Sequence, residues 1–194
     1  MPMAFDDGST DEDAALLVRY ASGDHEAARL LLARLTPMLL SLAQRMLGDR
    51  AEAEDVVQEA MLKLWRQAPD WQPGRARVST WAYRVAANLC TDRLRRRLGQ
   101  PLDGIAEPED DRPSVEAQLM GADRQTALQV ALDGLPERQR LAIVLRHIEG
   151  RSNPEIATVL DVSVEAVESL LARGRRGLAS ALVHQRGALG LTED

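Results

Sequence analysis

The sequence predicts an all-α protein: two small helical domains joined by an acidic flexible linker, with a helix-turn-helix in the C-terminal one. Three observations predict it. Hydrophobic residues make up 45% of the chain and aromatics only 3%, with Ala, Leu, Arg and Glu dominant, a balance that favours helix over sheet. Apolar residues recur at helical spacing along most of the chain, with no strand-like alternation of useful length and no internal repeat. Between Gly99 and Pro113 that periodicity stops in a stretch rich in Pro, Gly, Asp and Glu, which reads as an exposed linker. At 194 residues the chain has room for two small domains, placed at 11–97 and 114–184 with the linker at 98–113.

The elements follow in order. Residues 1–10 are polar and acidic and read as a frayed tail. Periodicity starts near Asp11, with Ala14, Leu17, Val18 and Ala21 on one face, and Gly23-Asp24 breaks it. A second run carries Ala27, Leu30, Leu31, Arg34 and Leu35; Thr36-Pro37 then puts a proline where a new helix can start, continued by Leu39, Leu42, Ala43 and Met46. The next helix is predicted from about Ala51 to Ala68, with Val57, Met61, Leu64 and Trp65 as its apolar stripe. Pro69 to Arg77 reads as a loop, and Ser79 or Thr80 is placed to cap the following helix, which reaches about Arg97. Helices resume near Ser114. One ends at Gly134-Leu135-Pro136, one runs from Glu137 to about Ile148, and Pro154 to Leu160 and Val164 to about Val183 close the pattern.

Composition excludes several classes of function. A single cysteine, Cys90, forbids an intrachain disulfide, and its place in a helical pattern marks it as packing. His25, His147 and His184 are scattered without ligand spacing, and no Gly-rich phosphate loop is present. No catalytic residue, metal site or cofactor is expected, and the chain does not read as an enzyme. Met1-Pro2-Met3-Ala4-Phe5 runs into Asp6-Asp7 without a signal-peptide pattern, and no apolar stretch reads as a bilayer span. The expectation is a soluble, cytoplasmic protein without membrane insertion.

Net charge is −6, but its distribution matters more than its sum. Acid collects at Asp6, Asp7, Asp11, Glu12 and Asp13, and again from Asp103 to Asp111. Base collects at Arg75, Arg77, Arg84, Arg93, Arg95, Arg96 and Arg97, and in a second cluster at Arg173, Arg175 and Arg176.

The sharpest local signal lies between Asn153 and Arg173. Ile156 and Leu160 supply the inner face of one helix, Ala157 is small where a second helix passes, Val162 plugs the turn, and Val167 and Leu170 return the inner face of the second helix. That is helix-turn-helix spacing. Asn153 before Pro154 is placed to cap the first helix and Ser163 the second, while Asp161 stands where Gly is usual and tolerates a left-handed conformation. An ordinary helical hairpin would not need all these positions and both caps. The second helix is therefore expected in a DNA groove. Ser163, Val164, Glu165, Glu168 and Ser169 face outward early, and Arg173, Arg175 and Arg176 are placed to grip phosphates.

In the N-terminal half, Trp81, Val85 and Leu89 are expected in the core, while Arg84, Asn88, Thr91 and Arg95 share another face of the same helix. An amide and a hydroxyl between two cations suit a phosphate backbone and one base read by its edge, with Trp71 and Tyr83 nearby to stack on unpaired bases. On the preceding helix, Asp55, Gln58, Glu59, Leu62 and Arg66 form a polar face around an exposed Leu, which suits docking to another protein's helices.

Taken together, these motifs resemble the extracytoplasmic-function group of bacterial RNA polymerase sigma factors. The resemblance lies in Asp55-Val56-Val57-Gln58-Glu59-Ala60 followed by Leu64-Trp65, and in Ser79-Thr80-Trp81-Ala82-Tyr83-Arg84-Val85-Ala86-Ala87-Asn88. It continues in Leu135-Pro136-Glu137-Arg138-Gln139-Arg140, in Glu155-Ile156-Ala157, and from Val167 to Arg176. Order and separation fit the whole chain apart from tails and linker. The resemblance implies that 11–97 is sigma region 2, which docks on the polymerase clamp and opens the −10 element, and that 114–184 is region 4, which reads the −35 element. It implies that Asp55, Gln58 and Glu59 match the clamp-docking motif, that Asn88 matches the position engaging a flipped-out −10 base, and that Arg173 and Arg176 match the promoter-facing side of the recognition helix. Glu168 and Leu170 depart from the cations common at those positions, although a carboxylate can accept from cytosine N4. The implied partners are core RNA polymerase, promoter DNA and an anti-sigma factor, in a stress or envelope response. The rival reading is a ligand-responsive helix-turn-helix regulator outside the polymerase. It would need a pocket in the N-terminal half, where the sequence offers a basic, Trp-bearing face.

Overall fold

A computed structural model describes residues 11–99 and 126–188. The acidic tail, residues 100–113 of the expected linker and the helix start expected near Ser114 lie outside the described residues. Every regular element among the described residues is helical. In the first half these are α1 (Glu12–Ala21), α2 (His25–Leu47), α3 (Arg50–Gln67), a 3-10 turn (Ala68–Asp70) and α4 (Val78–Gly99). In the second they are α5 (126–133), α6 (Glu137–Ile143), a π turn (Val144–Ile148), α7 (Asn153–Leu160) and α8 (Val164–Ala188).

Each start in the first half has a chemical cause. Asp11, Asp24 and Asp49 cap α1, α2 and α3, each accepting from a free first-turn amide. Asp11 also reaches across the fold, where its other carboxylate oxygen accepts from the Val78 amide at the head of α4. That helix starts ahead of Ser79 and Thr80, so neither is its cap; Thr80 is instead buried.

The proline at 37 does not begin a helix. α2 runs through it for 23 residues. Proline removes one backbone hydrogen bond and crowds the preceding turn, but Leu31 and Leu35 before it and Leu39, Leu42 and Met46 after it lie on one fully buried stripe. Continuity of that stripe outweighs the local defect. α2 is also long and apolar enough, by length and composition, to cross a bilayer, contrary to the expectation that no stretch is. Here it is the central helix, packed against α1, α3 and α4. α1 shows one shift of register: Leu16 is buried beside Ala14 and Leu17, whereas Val18, expected inward, is 42% exposed.

In the second half α6 and α8 pack closely. A Cβ on Gly174 would lie 2.7 Å from Cγ1 of Ile143, and one on Gly177 would lie 2.7 Å from Cδ2 of Leu135. The cap of α7 is Ser152, not Asn153: its hydroxyl accepts from the Glu155 amide while the Glu155 carboxylate accepts from the Ser152 amide, a reciprocal capping box. Partial burial works against the Glu155 charge, but the Ser152 hydrogen bonds, with Arg151 and Arg77 nearby, hold its carboxyl below the ordinary value. Asp161 closes α7 in the left-handed conformation, at φ 54° and ψ 55°.

The two halves are in contact. α4 packs on α7, α2 meets α6 and the π turn, and one buried apolar cluster runs through both halves.

Candidate nucleic-acid and protein interfaces

Three surfaces gather the residues singled out in the sequence. The first is on α4. Arg84, Asn88 and Arg95 are exposed and Thr91 is half-buried, all on the face expected of them. Arg84 Nη2 lies 3.4 Å from the Asp161 carboxylate and Arg95 Nε lies 3.8 Å from that of Glu137. Asn88, one turn from Arg84, thus stands between two cations that each have an acid of the second half beside them.

The aromatics beside this face depart from expectation. Tyr83 is 1% exposed, so it is not a free platform for stacking on bases. Its hydroxyl donates to Glu149 at 2.7 Å, and the Arg151 guanidinium lies 5.3 Å from its ring centre. The cause is tertiary: Tyr83 lies on a side of α4 covered by the second half, against Glu149 and Arg151 just ahead of α7. Burial, reinforced by Glu149, pushes its phenol well above the ordinary tyrosine range. Trp71 is half-buried, edge-on to Trp81 with ring centres 6.2 Å apart, and Trp81 and Val85 are only partly buried while Leu89 is in the core. Cys90 is fully buried, and desolvation pushes its thiol up to about 12, consistent with packing.

The second surface is on α8. Ser163, Glu165, Glu168, Ser169, Arg173, Arg175 and Arg176 are all exposed. Ser163 caps the helix, its hydroxyl accepting from the Ala166 amide at 3.2 Å. The inner face is Val167 and Leu171, both buried, with Leu170 and Val162 partly so. Leu171 was absent from the expected inner face, although its i+4 spacing from Val167 is the signal that finds it.

The third surface is on α3. Asp55, Gln58 and Leu62 are exposed, Leu62 at 48%, and Glu59 is half-buried within reach of Lys63 and Arg93. Gln58 and Leu62 edge an apolar groove between α2 and α3, floored by Leu32, Leu40, Met61 and Trp65. The sequence reading missed Leu32, though the run Leu30-Leu31-Leu32 carries more apolar residues than one buried stripe can use.

Comparison with known proteins decides what these surfaces belong to. Residues 31–98 match the model of Sigma-70 region 2, and residues 125–178 match that of Sigma-70, region 4. The chain is similar to the RNA polymerase sigma-H factor of Pseudomonas aeruginosa, 32% identical over 89% of this chain and 94% of that protein. It is 35% identical to the ECF RNA polymerase sigma factor SigM of Mycobacterium tuberculosis, over 88% of this chain and 84% of that one. The chain belongs to the extracytoplasmic-function sigma factors. The solved structure of CnrH in complex with the cytosolic domain of CnrY is similar over 89% of this sigma factor and 97% of that chain, at a TM-score of 0.69 and 29% identity. The region 2 match spans α2 to α4, and the region 4 match spans α5 to the middle of α8. A sigma factor binds core RNA polymerase and directs promoter recognition and initiation, so a stand-alone ligand-responsive regulator is not favoured.

Proposed function

We propose that the three surfaces divide the work of initiation. The exposed face of α3, with Asp55, Gln58, Glu59 and Leu62, docks on the polymerase clamp. The α4 face of Arg84, Asn88, Thr91 and Arg95, bordered by Trp71, holds and reads the −10 element as it opens. The outward side of α8, from Ser163 through Glu165, Glu168 and Ser169 to Arg173, Arg175 and Arg176, reads the −35 element. In this division residues 11–97 act as the region 2 domain, 98–113 as the linker and 114–184 as the region 4 domain. The protein works in the cytoplasm, in a stress or envelope response, and catalyses no reaction itself. CnrH was solved with the cytosolic domain of a second protein, and by that likeness this sigma factor is held by an anti-sigma partner until its signal arrives.

The observation that carries the −10 assignment is the line of Arg84, Asn88 and Arg95 along one exposed face of α4. An amide both donates and accepts, so Asn88 can read a base edge, whereas the arginines hold phosphates without choosing a base. Asn88→Ala should impair strand opening while leaving closed-complex binding nearly intact. Permanganate footprinting on a promoter selected by the holoenzyme measures this directly. Normal thymine reactivity with the variant would reduce Asn88 to a solvated surface residue.

A further inference from the structure

Beside the shared apolar cluster, the contact between the halves carries a polar tie centred on one carboxylate. Glu149 follows the π turn and precedes Gly150, whose φ is 66°. The loop is held rigidly: the Arg151 amide donates to the Leu145 carbonyl, its Nε to the Glu149 carbonyl, and Arg146 donates back to the Arg151 carbonyl. From that fixed position one Glu149 oxygen accepts from the Ser41 hydroxyl of α2 at 2.6 Å. The other accepts from the Tyr83 hydroxyl of α4 at 2.7 Å. A single side chain of region 4 thus ties two helices of region 2, and Arg151 lies over the ring of the same tyrosine.

The consequence falls on the promoter-facing residues of α4. With Glu149 seated, Asp161 at the helix-turn-helix turn stands beside Arg84, and Glu137 at the head of α6 stands beside Arg95. These pairs are exposed and individually weak, so they do not close the molecule. They matter for what they occupy: a carboxylate stands beside each of the two arginines that flank Asn88. Arg140, nearly buried, ties the middle of α6 to the end of α2 by donating to the Met46 carbonyl.

We propose that the free sigma factor is self-occluded, with Glu149 as the latch holding region 4 against region 2 and Asp161 and Glu137 standing in for DNA phosphates at Arg84 and Arg95. Opening requires Glu149 to leave Ser41 and Tyr83, and engagement of core polymerase supplies the competing contacts. This rests on α4 being the promoter-reading helix, but the closed state itself does not.

The test reads the closed state first and its role second. Spin labels are placed on the full chain through Ala15→Cys on α1 and Ser180→Cys on α8, both exposed sites; the native Cys90 is buried and so spared. Pulsed electron paramagnetic resonance of the free protein should give one narrow distance distribution. It should broaden to longer distances in Glu149→Ala, and partly so in Ser41→Ala and in Tyr83→Phe, which loses the hydroxyl and keeps the ring. A broad distribution in the parent, or a narrow one retained by all three variants with unchanged helical circular dichroism, overturns the latch. The second arm measures association with core polymerase by stopped flow. Latch variants should associate several-fold faster, and an unchanged on-rate overturns the gating. Failure of every form to bind polymerase would count instead against the clamp-docking assignment, because the distance measurement stands without it.

Discussion

Arg140 illustrates how a single side chain carries more than its position suggests. In the sequence it is the last residue of Leu135-Pro136-Glu137-Arg138-Gln139-Arg140 and reads as one more surface cation of a helix. In the structure only 7% of it is exposed, and Nη1 donates to the Met46 carbonyl at 2.8 Å and lies 2.9 Å from the Asp133 carboxylate. Burial lowers its affinity for the proton, while Asp133 and Glu137 work the other way. The guanidinium fills a need set elsewhere, because the end of α2 leaves carbonyls without helical partners. Arg140→Met keeps most of the apolar stem and removes the donors, so it should cost about 1–3 kcal/mol through the unsatisfied Met46 carbonyl. Urea denaturation measures it, and an unchanged midpoint would mean that water replaces the donor. Tyr83 teaches the same lesson from the other side. Its neighbours in sequence are Arg84 and the other residues proposed to face the promoter, and on sequence alone it reads as a stacking platform. Which side of α4 meets α7 is a tertiary fact that sequence neighbours do not carry. The residues that were legible, Arg84, Asn88, Thr91 and Arg95, were so because their i, i+4 spacing alone puts them on one face of any helix.

At the scale of elements, helix existence was legible almost throughout and helix boundaries less so. α3, α4, α6 and α7 appear close to where periodicity puts them, but the second and third predicted runs are one helix, because the unbroken Leu31-Leu35-Leu39-Leu42 stripe outweighs the local chemistry of Pro37. The π turn at Val144–Ile148 left no sequence signature, since it widens a helix without interrupting its apolar residues. The close approach of α6 and α8 is legible in hindsight from Gly174 and Gly177, spaced i and i+3 on one face. Gly174→Ala would place a methyl 2.7 Å from Cγ1 of Ile143, a methylene that moves only if the buried, β-branched side chain changes its χ1 rotamer. Overpacking of this kind costs about 1–3 kcal/mol, against roughly 1 kcal/mol gained in helix propensity, so the variant should be less stable by about 1 kcal/mol. Gly177→Ala meets only the terminal methyl of Leu135 and should be tolerated better. Thermal melts of the two variants rank them, and a Gly174→Ala melt at or above the parent's would remove close packing as the reason for glycine here.

For the molecule as a whole, the sequence placed the surfaces but not their mutual arrangement. The latch joins Glu149 to Ser41, 108 positions away, and to Tyr83, 66 positions away, and no periodicity announces such contacts. The α3 face, by contrast, was legible because an exposed Leu62 amid Asp55, Gln58 and Glu59 breaks the rule that a soluble helix keeps its outer side polar. The groove beside it, floored by Leu32, Leu40, Met61 and Trp65, shows why that exposed leucine is not isolated. Docking there should combine apolar contact in the groove, which Gln58 and Leu62 edge, with charge complementarity at Asp55 and Glu59 on the same helix. Asp55→Lys together with Glu59→Lys should therefore lower affinity for core polymerase by at least about tenfold, or ~1.4 kcal/mol, with most of the change in the on-rate. Glu59 lies within 3.2 Å of Lys63 and 3.8 Å of Arg93, so reversing it also disturbs local pairing, and the two substitutions must be compared separately. Asp55→Lys alone is the cleaner measure, because Asp55 is fully on the surface side of the helix. If Asp55→Lys binds core polymerase with the parent's rate and affinity, while Leu62→Ala weakens it, docking is apolar and the acids of α3 only keep the face soluble. If neither changes binding, the polymerase engages another part of region 2.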